Sequence, residues 1–119
     1  MGQRVYKIMS LVDWQAMQAD GYLALAGDDA RDGFVHLSTG EQLAGTLAKH
    51  YAGQTGLVLV GFEAAQLGDD LRWEISRAGA RFPHFYGRLQ TAWVVHALDL
   101  QSRNGDTHLP DNWPMEGTV

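Results

Sequence analysis

The chain has 119 residues, with nine Lys and Arg against fourteen Asp and Glu, and no Cys. Without cysteine, thiol catalysis, thiolate metal sites and disulfide staples are excluded. A formal charge of −5 argues against nonspecific nucleic-acid binding, which needs clustered cations to neutralise phosphate.

The length favours one domain over residues 1–119, with a core from about 4 to 100 and a tail over 101–119. No apolar run approaches the roughly 20 residues of a membrane span. Lys7 and Asp13 interrupt anything resembling a leader. A reducing cytoplasm is the expected location, with no membrane contact.

Val5 to Met9 alternates as a strand, with Val5, Lys7 and Met9 on one face and Tyr6 and Ile8 on the other. Ser10 then offers an N-cap, with Asp13 favouring the helix start. Leu11, Trp14 and Met17 recur at helical spacing, and Gly21 is the expected stop. Ala26 to Asp32 reads as a Gly/Asp-rich loop. Gly33 to Ser38 reads as one strand, with Phe34, His36 and Ser38 on one face and Val35 and Leu37 on the other.

Thr39 with Gln42, and Ser38 with Glu41, fit the capping-box pattern ahead of a helix reaching about Tyr51. Leu57 to Phe62 is the most apolar run and reads as a central strand. Ala64 to Asp70 is a short helical or turn segment, and Leu71 to Ile75 a strand. Ala78-Gly79-Ala80 is a turn, and Pro83 argues against a central ladder position for its own segment. Trp93 to Leu100 is the last clear strand. The polar stretch from Gln101, with Asn104-Gly105, Pro110 and Pro114, reads as a loosely packed tail anchored by Trp113. Strands and two main helices in mixed order predict an α+β fold.

Three groups stand out for chemistry. His36 lies on an apolar strand just before a helix start, where Ser38, Thr39 and free backbone N–H groups can meet an anion or a ribose. The same histidine also suits a core position bonded to a carbonyl, with Thr39 merely capping. Glu74 lies beside Trp73 and is costly to bury unpaired. It is solvent-facing, paired with Arg72, Arg77 or Arg81, or working in a pocket. His84 follows Pro83 and precedes Phe85, Tyr86 and Gly87, which suits a ligand-lining loop or an aromatic plug.

Arg72, Arg77, Arg81 and Arg88 form a loose basic group, suited to a phosphate-bearing ligand or to a solvated surface. His36, Glu74 and His84 are too far apart in sequence for any short metal motif, so no metal is expected. No nucleophile elbow, Walker or dinucleotide glycine pattern is present.

Together, Tyr6-Lys7-Ile8, the run Asp32 to Thr39 followed by Glu41-Gln42-Leu43, Trp73-Glu74 and Phe82 to Gly87 resemble a small bacterial family, domain of unknown function 952. The likeness covers roughly residues 4 to 100. It implies an ADP-ribosyltransferase-like fold with a split, bent, mixed or antiparallel sheet, and NAD as the cofactor or nucleotide ligand. On that likeness His36 would hold a ribose, Ser38 and Thr39 would sit beside it, and Tyr51 or Tyr86 would stack on nicotinamide. Glu74 would orient the ribose 2′-hydroxyl and steady an oxocarbenium-like transition state. His84 has no obvious counterpart in the transferases and completes the candidate catalytic set on the reading of the residues themselves, with Arg81 among the ligand contacts.

The order of motifs departs from the transferases, whose catalytic glutamate comes late, whereas Glu74 precedes the Phe82 to Gly87 motif. A non-catalytic small-metabolite or nucleotide-binding module, or a protein-interaction domain, fits the same residues.

Overall fold

A computed structural model describes residues 3–76, 79–103, 105–110 and 113. Strand β1 (Arg4–Ser10) pairs antiparallel with β4 (Leu57–Glu63) from Arg4 opposite Glu63 to Ser10 opposite Leu57. With β3 (Ser38–Thr39) and β7 (Val94–Asp99) they form a sheet ordered β3-β1-β4-β7. A second sheet is ordered β2-β6-β5, from β2 (Val35–His36), β6 (Arg81–Phe85) and β5 (Leu71–Ile75). Every pairing is antiparallel, so the sheets carry no mixed pairing among the described residues. The fold is α+β.

The apolar run of β4 is explained by cores on both faces of the first sheet. Val58, Val60 and Phe62 join Val5, Met9, Val35, Leu37 and Phe85 on one side. Leu57 and Leu59 join Tyr6, Ile8, Leu43 and Leu47 on the other.

Helix α1 (Leu11–Asp20) starts and stops as its sequence predicts. The Ser10 side chain accepts from the Asp13 N–H at 3.1 Å, and Gly21, at φ 85°, donates its N–H to the Met17 carbonyl. Helix α3 (Leu43–His50) follows a reciprocal capping box. Thr39 N–H donates to Gln42 Oε1 at 3.0 Å, and Gln42 N–H to Thr39 Oγ1 at 3.2 Å. Ser38 takes no part in capping; its Oγ lies 2.9 Å from Thr46 Oγ1. A short helix, α4 (Ala64–Leu67), and a 3-10 turn (Gly68–Asp70) fill the segment before β5.

Four expectations need correction. Ala26 to Asp32 is not a loop: Gly27–Asp32 forms helix α2, closed by Gly33 at φ 83°. Asp28 and Asp29 favour its first turn, while the absence of apolar periodicity hid it. Gly33 to Ser38 is not one strand. The chain breaks at Leu37, so that β2 joins β6 while β3 joins β1. The alternation survives the break, since Val35 and Leu37 are both buried.

Pro83 does occupy a central strand. Its carbonyl accepts from Leu37 N–H at 3.0 Å. In an extended strand its missing N–H faces the same side, where β2 has just ended. The donor it lacks is the one that a longer β2 would have needed, so in the ladder as built the proline costs no bond.

The polar stretch after Leu100 is partly ordered as a hairpin, β8 (Gln101–Arg103) with β9 (Asp106–His108). Trp113 does anchor: its Nε1 donates to the Gly40 carbonyl at 3.0 Å, and its ring meets Tyr6 edge-on. Trp93 precedes β7 in a 3-10 turn, Thr91–Trp93. Arg77, Ala78, Asn104 and Pro114 lie outside the described residues.

Gly61 marks the tightest point of the first sheet. A Cβ there would lie 3.0 Å from Tyr6 Cε2 and 3.3 Å from His96 Cβ. Gly61→Ala should therefore destabilise the protein by about 1–3 kcal/mol through overpacking, measured by urea unfolding. An unchanged midpoint would show that the Tyr6 ring yields freely.

Candidate functional site

The second sheet has one apolar face and one polar face. Leu71 opposite Phe85 and Trp73 opposite Pro83 pack toward the core with Val35 and Leu37. The alternate positions carry Arg72 opposite His84, Glu74 opposite Phe82, and His36 opposite His84. Period-2 alternation thus brings the three sequence motifs onto one face.

On that face Phe34 stacks on His84, with ring centroids 4.2 Å apart, and lies 4.4 Å from His36 and 5.0 Å from Tyr86. The His36 and His84 rings are 5.4 Å apart. His84 Nδ1 is 2.8 Å from Glu74 Oε1, and the same oxygen accepts from Tyr86 OH at 2.7 Å. Arg72 sits 4.4 Å above the Tyr86 ring. Hydrogen bonds from Tyr86, then from His84, hold the Glu74 carboxyl below its ordinary pKa. The bond to Glu74 is the main reason the Tyr86 phenol is raised.

His36 is held by carboxylates from α2. Its Nδ1 is 2.6 Å from Asp29 Oδ1 and its Nε2 is 2.9 Å from Asp32 Oδ2. Each contact is a hydrogen bond only when that ring nitrogen carries its proton. Asp29 also accepts the His36 backbone N–H at 3.1 Å, and its Oδ2 lies 2.8 Å from Lys7 Nζ. Burial is the largest single influence on Asp29 and pushes its pKa up. The His36 hydrogen bond, with the charge and bond of Lys7, outweighs it, so the net shift is downward.

A cleft of about 250 Å³ opens where β1, α2, α3 and the second sheet meet. Its walls include His36, His84, Ser38 and Tyr51, four of the residues proposed from sequence. The Tyr51 hydroxyl donates to the Ile8 carbonyl at 3.3 Å, and burial raises the phenol. Glu74 and Tyr86 stand beside the cleft, behind His84, and are not among its lining residues.

Besides Tyr86, two expected ligand contacts lie off the cleft wall. Thr39 spends its hydroxyl on the capping box. Arg81 projects with Ile75 on the opposite face, and its guanidinium donates to the Trp73 carbonyl at 3.2 Å. No arginine side chain bonds Glu74 among the described residues; its partners are a histidine and a tyrosine.

Sequence reasoning missed Asp29, Asp32, Lys7 and Phe34. Lys7 carried the one usable signal. It alternates with Val5 and Met9 on a buried face, so its ammonium needed a carboxylate within reach.

A family model described as protein of unknown function, DUF952, matches residues 8–97. The chain belongs to the DUF952 family. A solved structure with which it aligns is the crystal structure of protein CC0527 from Caulobacter crescentus. That protein is 45% identical, with a TM-score of 0.83, covering 88% of this chain and 93% of that one. The solution structure of the same protein aligns with a TM-score of 0.78 at 45% identity, covering 87% and 90% of the two chains. None of the curated proteins compared with it matches the chain.

Asp29 makes stability depend on acid in this DUF952 protein. Its folded pKa is depressed, so its contribution is present above the unfolded value of about 3.9 and is lost as pH falls through the folded one. Asp29→Asn should cost roughly 3–5 kcal/mol at pH 7, since Lys7 stays buried without its counter-charge. It should also flatten the loss of stability below about pH 4. Denaturant titrations from pH 7 to 3 check both. Separately, Tyr86→Phe should raise the Glu74 pKa toward its ordinary value, read from the carboxyl carbon shift by NMR.

Proposed function

We propose that the cleft binds a nucleoside-type ligand, a flat ring joined to a ribose, in the manner of an ADP-ribosyltransferase-like protein. NAD, through its nicotinamide-riboside half, is the ligand that the sequence resemblance implies. One observation carries this reading: two histidines 5.4 Å apart, both fixed at Nδ1 by carboxylates, line one cleft. Ser38 adds a hydroxyl, and Tyr6, Tyr51 and Phe82 add aromatic walls for the ring.

In this reading the roles follow the cleft lining. His84 and His36 face the ligand, with Ser38 and Tyr51 beside them. Glu74 positions His84, and Tyr86 positions Glu74. Binding without turnover is favoured by one fact: Glu74 bonds His84 and is not among the residues lining the cleft. A carboxylate that is to steady an oxocarbenium ion must touch the sugar. One domain over the whole chain remains part of this proposal.

A thermal-shift screen against nicotinamide riboside, NAD, ADP-ribose, nicotinamide and common nucleosides tests it. At 100 times its dissociation constant a ligand adds about 2.7 kcal/mol, a rise of roughly 10 °C for a chain of this size. The shift should disappear in His84→Ala and persist in Arg81→Ala. Silence across the panel sinks the nucleoside reading. Release of free nicotinamide from a bound compound would reject binding without turnover.

A further inference from the structure

We infer that the cleft selects the unphosphorylated nucleoside, or a similar neutral or cationic glycoside, over its phosphorylated forms. The inference rests on the nucleoside reading above and departs from it in the ligand: the riboside in place of NAD itself.

Lys7 and Arg31 are the Lys and Arg side chains lining the cleft among the described residues. Both are committed. Lys7 Nζ lies 2.8 Å from Asp29 Oδ2 and donates to the His36 carbonyl at 3.2 Å, with its side chain 12% exposed. Arg31 reaches Asp28 Oδ1 at 3.2 Å through Nη1, and Asp32 at 2.9 Å through Nε and 3.2 Å through Nη2. A phosphate entering here would have to take one of these cations from its carboxylate. It would then stand beside Asp28, Asp29 and Asp32, three like charges on the wall.

The hydrogen-bonding chemistry points the same way. Carboxylate oxygens are acceptors only. His84 is 6% exposed, and its Nε2 has no protein partner among the described residues. With Nδ1 against Glu74, Nε2 is the ring nitrogen left to a ligand. The Ser38 and Thr46 hydroxyls are already paired to each other. Such a wall asks its ligand for donors. Ribose hydroxyls and a ring amide supply them, whereas a phosphate brings acceptors and negative charge.

Calorimetric titration of the full chain at low salt decides it, using nicotinamide riboside, adenosine and the 5′-monophosphate of each. At least one nucleoside should bind tenfold or more tightly than its monophosphate. In the double variant Asp28→Asn with Asp32→Asn, at the carboxylates that occupy Arg31, that ratio should fall at least threefold. A monophosphate binding as tightly as its nucleoside overturns this inference and leaves the nucleoside reading standing. A ratio unmoved in the double variant overturns the assignment of the preference to the occupied Arg31. No binding by any of the four compounds overturns the nucleoside reading, and this inference with it.

Discussion

Asp29 accepts from three donors on two other elements: the Lys7 ammonium, the His36 ring and the His36 backbone N–H. A buried carboxylate is tolerated only when its lone pairs are answered in this way. The consequence is structural as well as chemical. One side chain ties α2 to β1 of the first sheet and to β2 of the second. The break at Leu37, where the chain passes between the sheets, is spanned by the same contacts, since Lys7 also donates to the His36 carbonyl. The two sheets are separate hydrogen-bonded units, so this polar junction, together with the apolar cluster around Val35, Leu37 and Phe85, sets where the second sheet lies.

What was legible in the sequence was local. Ser10 and Gly21 set the ends of α1 because a cap is decided within a few residues. Thr39 and Gln42 close their box for the same reason. The run Leu57 to Phe62 announced a strand buried on both faces, and the alternation around His36 and Glu74 placed each on the polar side of its strand. What was hidden depended on pairing. Nothing near Leu37 says that the next residues will join a different sheet. Pro83 looked misplaced until the end of β2 removed the acceptor it could not serve. Asp29 looked like a loop acid, because its partners are brought to it by the tertiary fold and not by helical spacing.

The family likeness was legible for a different reason. The motifs that carry it are the site-facing residues and their glycines, and the match over residues 8–97 spans both sheets. Within that likeness the residues divide by position. His36, His84, Ser38 and Tyr51 reach the cleft, whereas Thr39 and Arg81 serve the scaffold through a helix cap and a strand carbonyl. A polar residue in a recognisable motif is therefore no guide by itself to ligand contact.

The position of Glu74 decides how the site can work. A carboxylate at Nδ1 fixes the orientation and tautomer of His84, and Tyr86 and Arg72 in turn steady the charge on Glu74. This is a relay running outward from the cleft: imidazole, carboxylate, phenol, guanidinium. It leaves His84 Nε2 as the ring nitrogen turned from the carboxylate, while Glu74 is not among the residues lining the cleft. His36, caught between Asp29 and Asp32, is the opposite kind of group, with both nitrogens spent on carboxylates. Of two histidines facing one cleft, one is held in reserve by the protein and the other is free to meet what enters. That asymmetry, more than the presence of either residue, is what the fold builds from the two motifs.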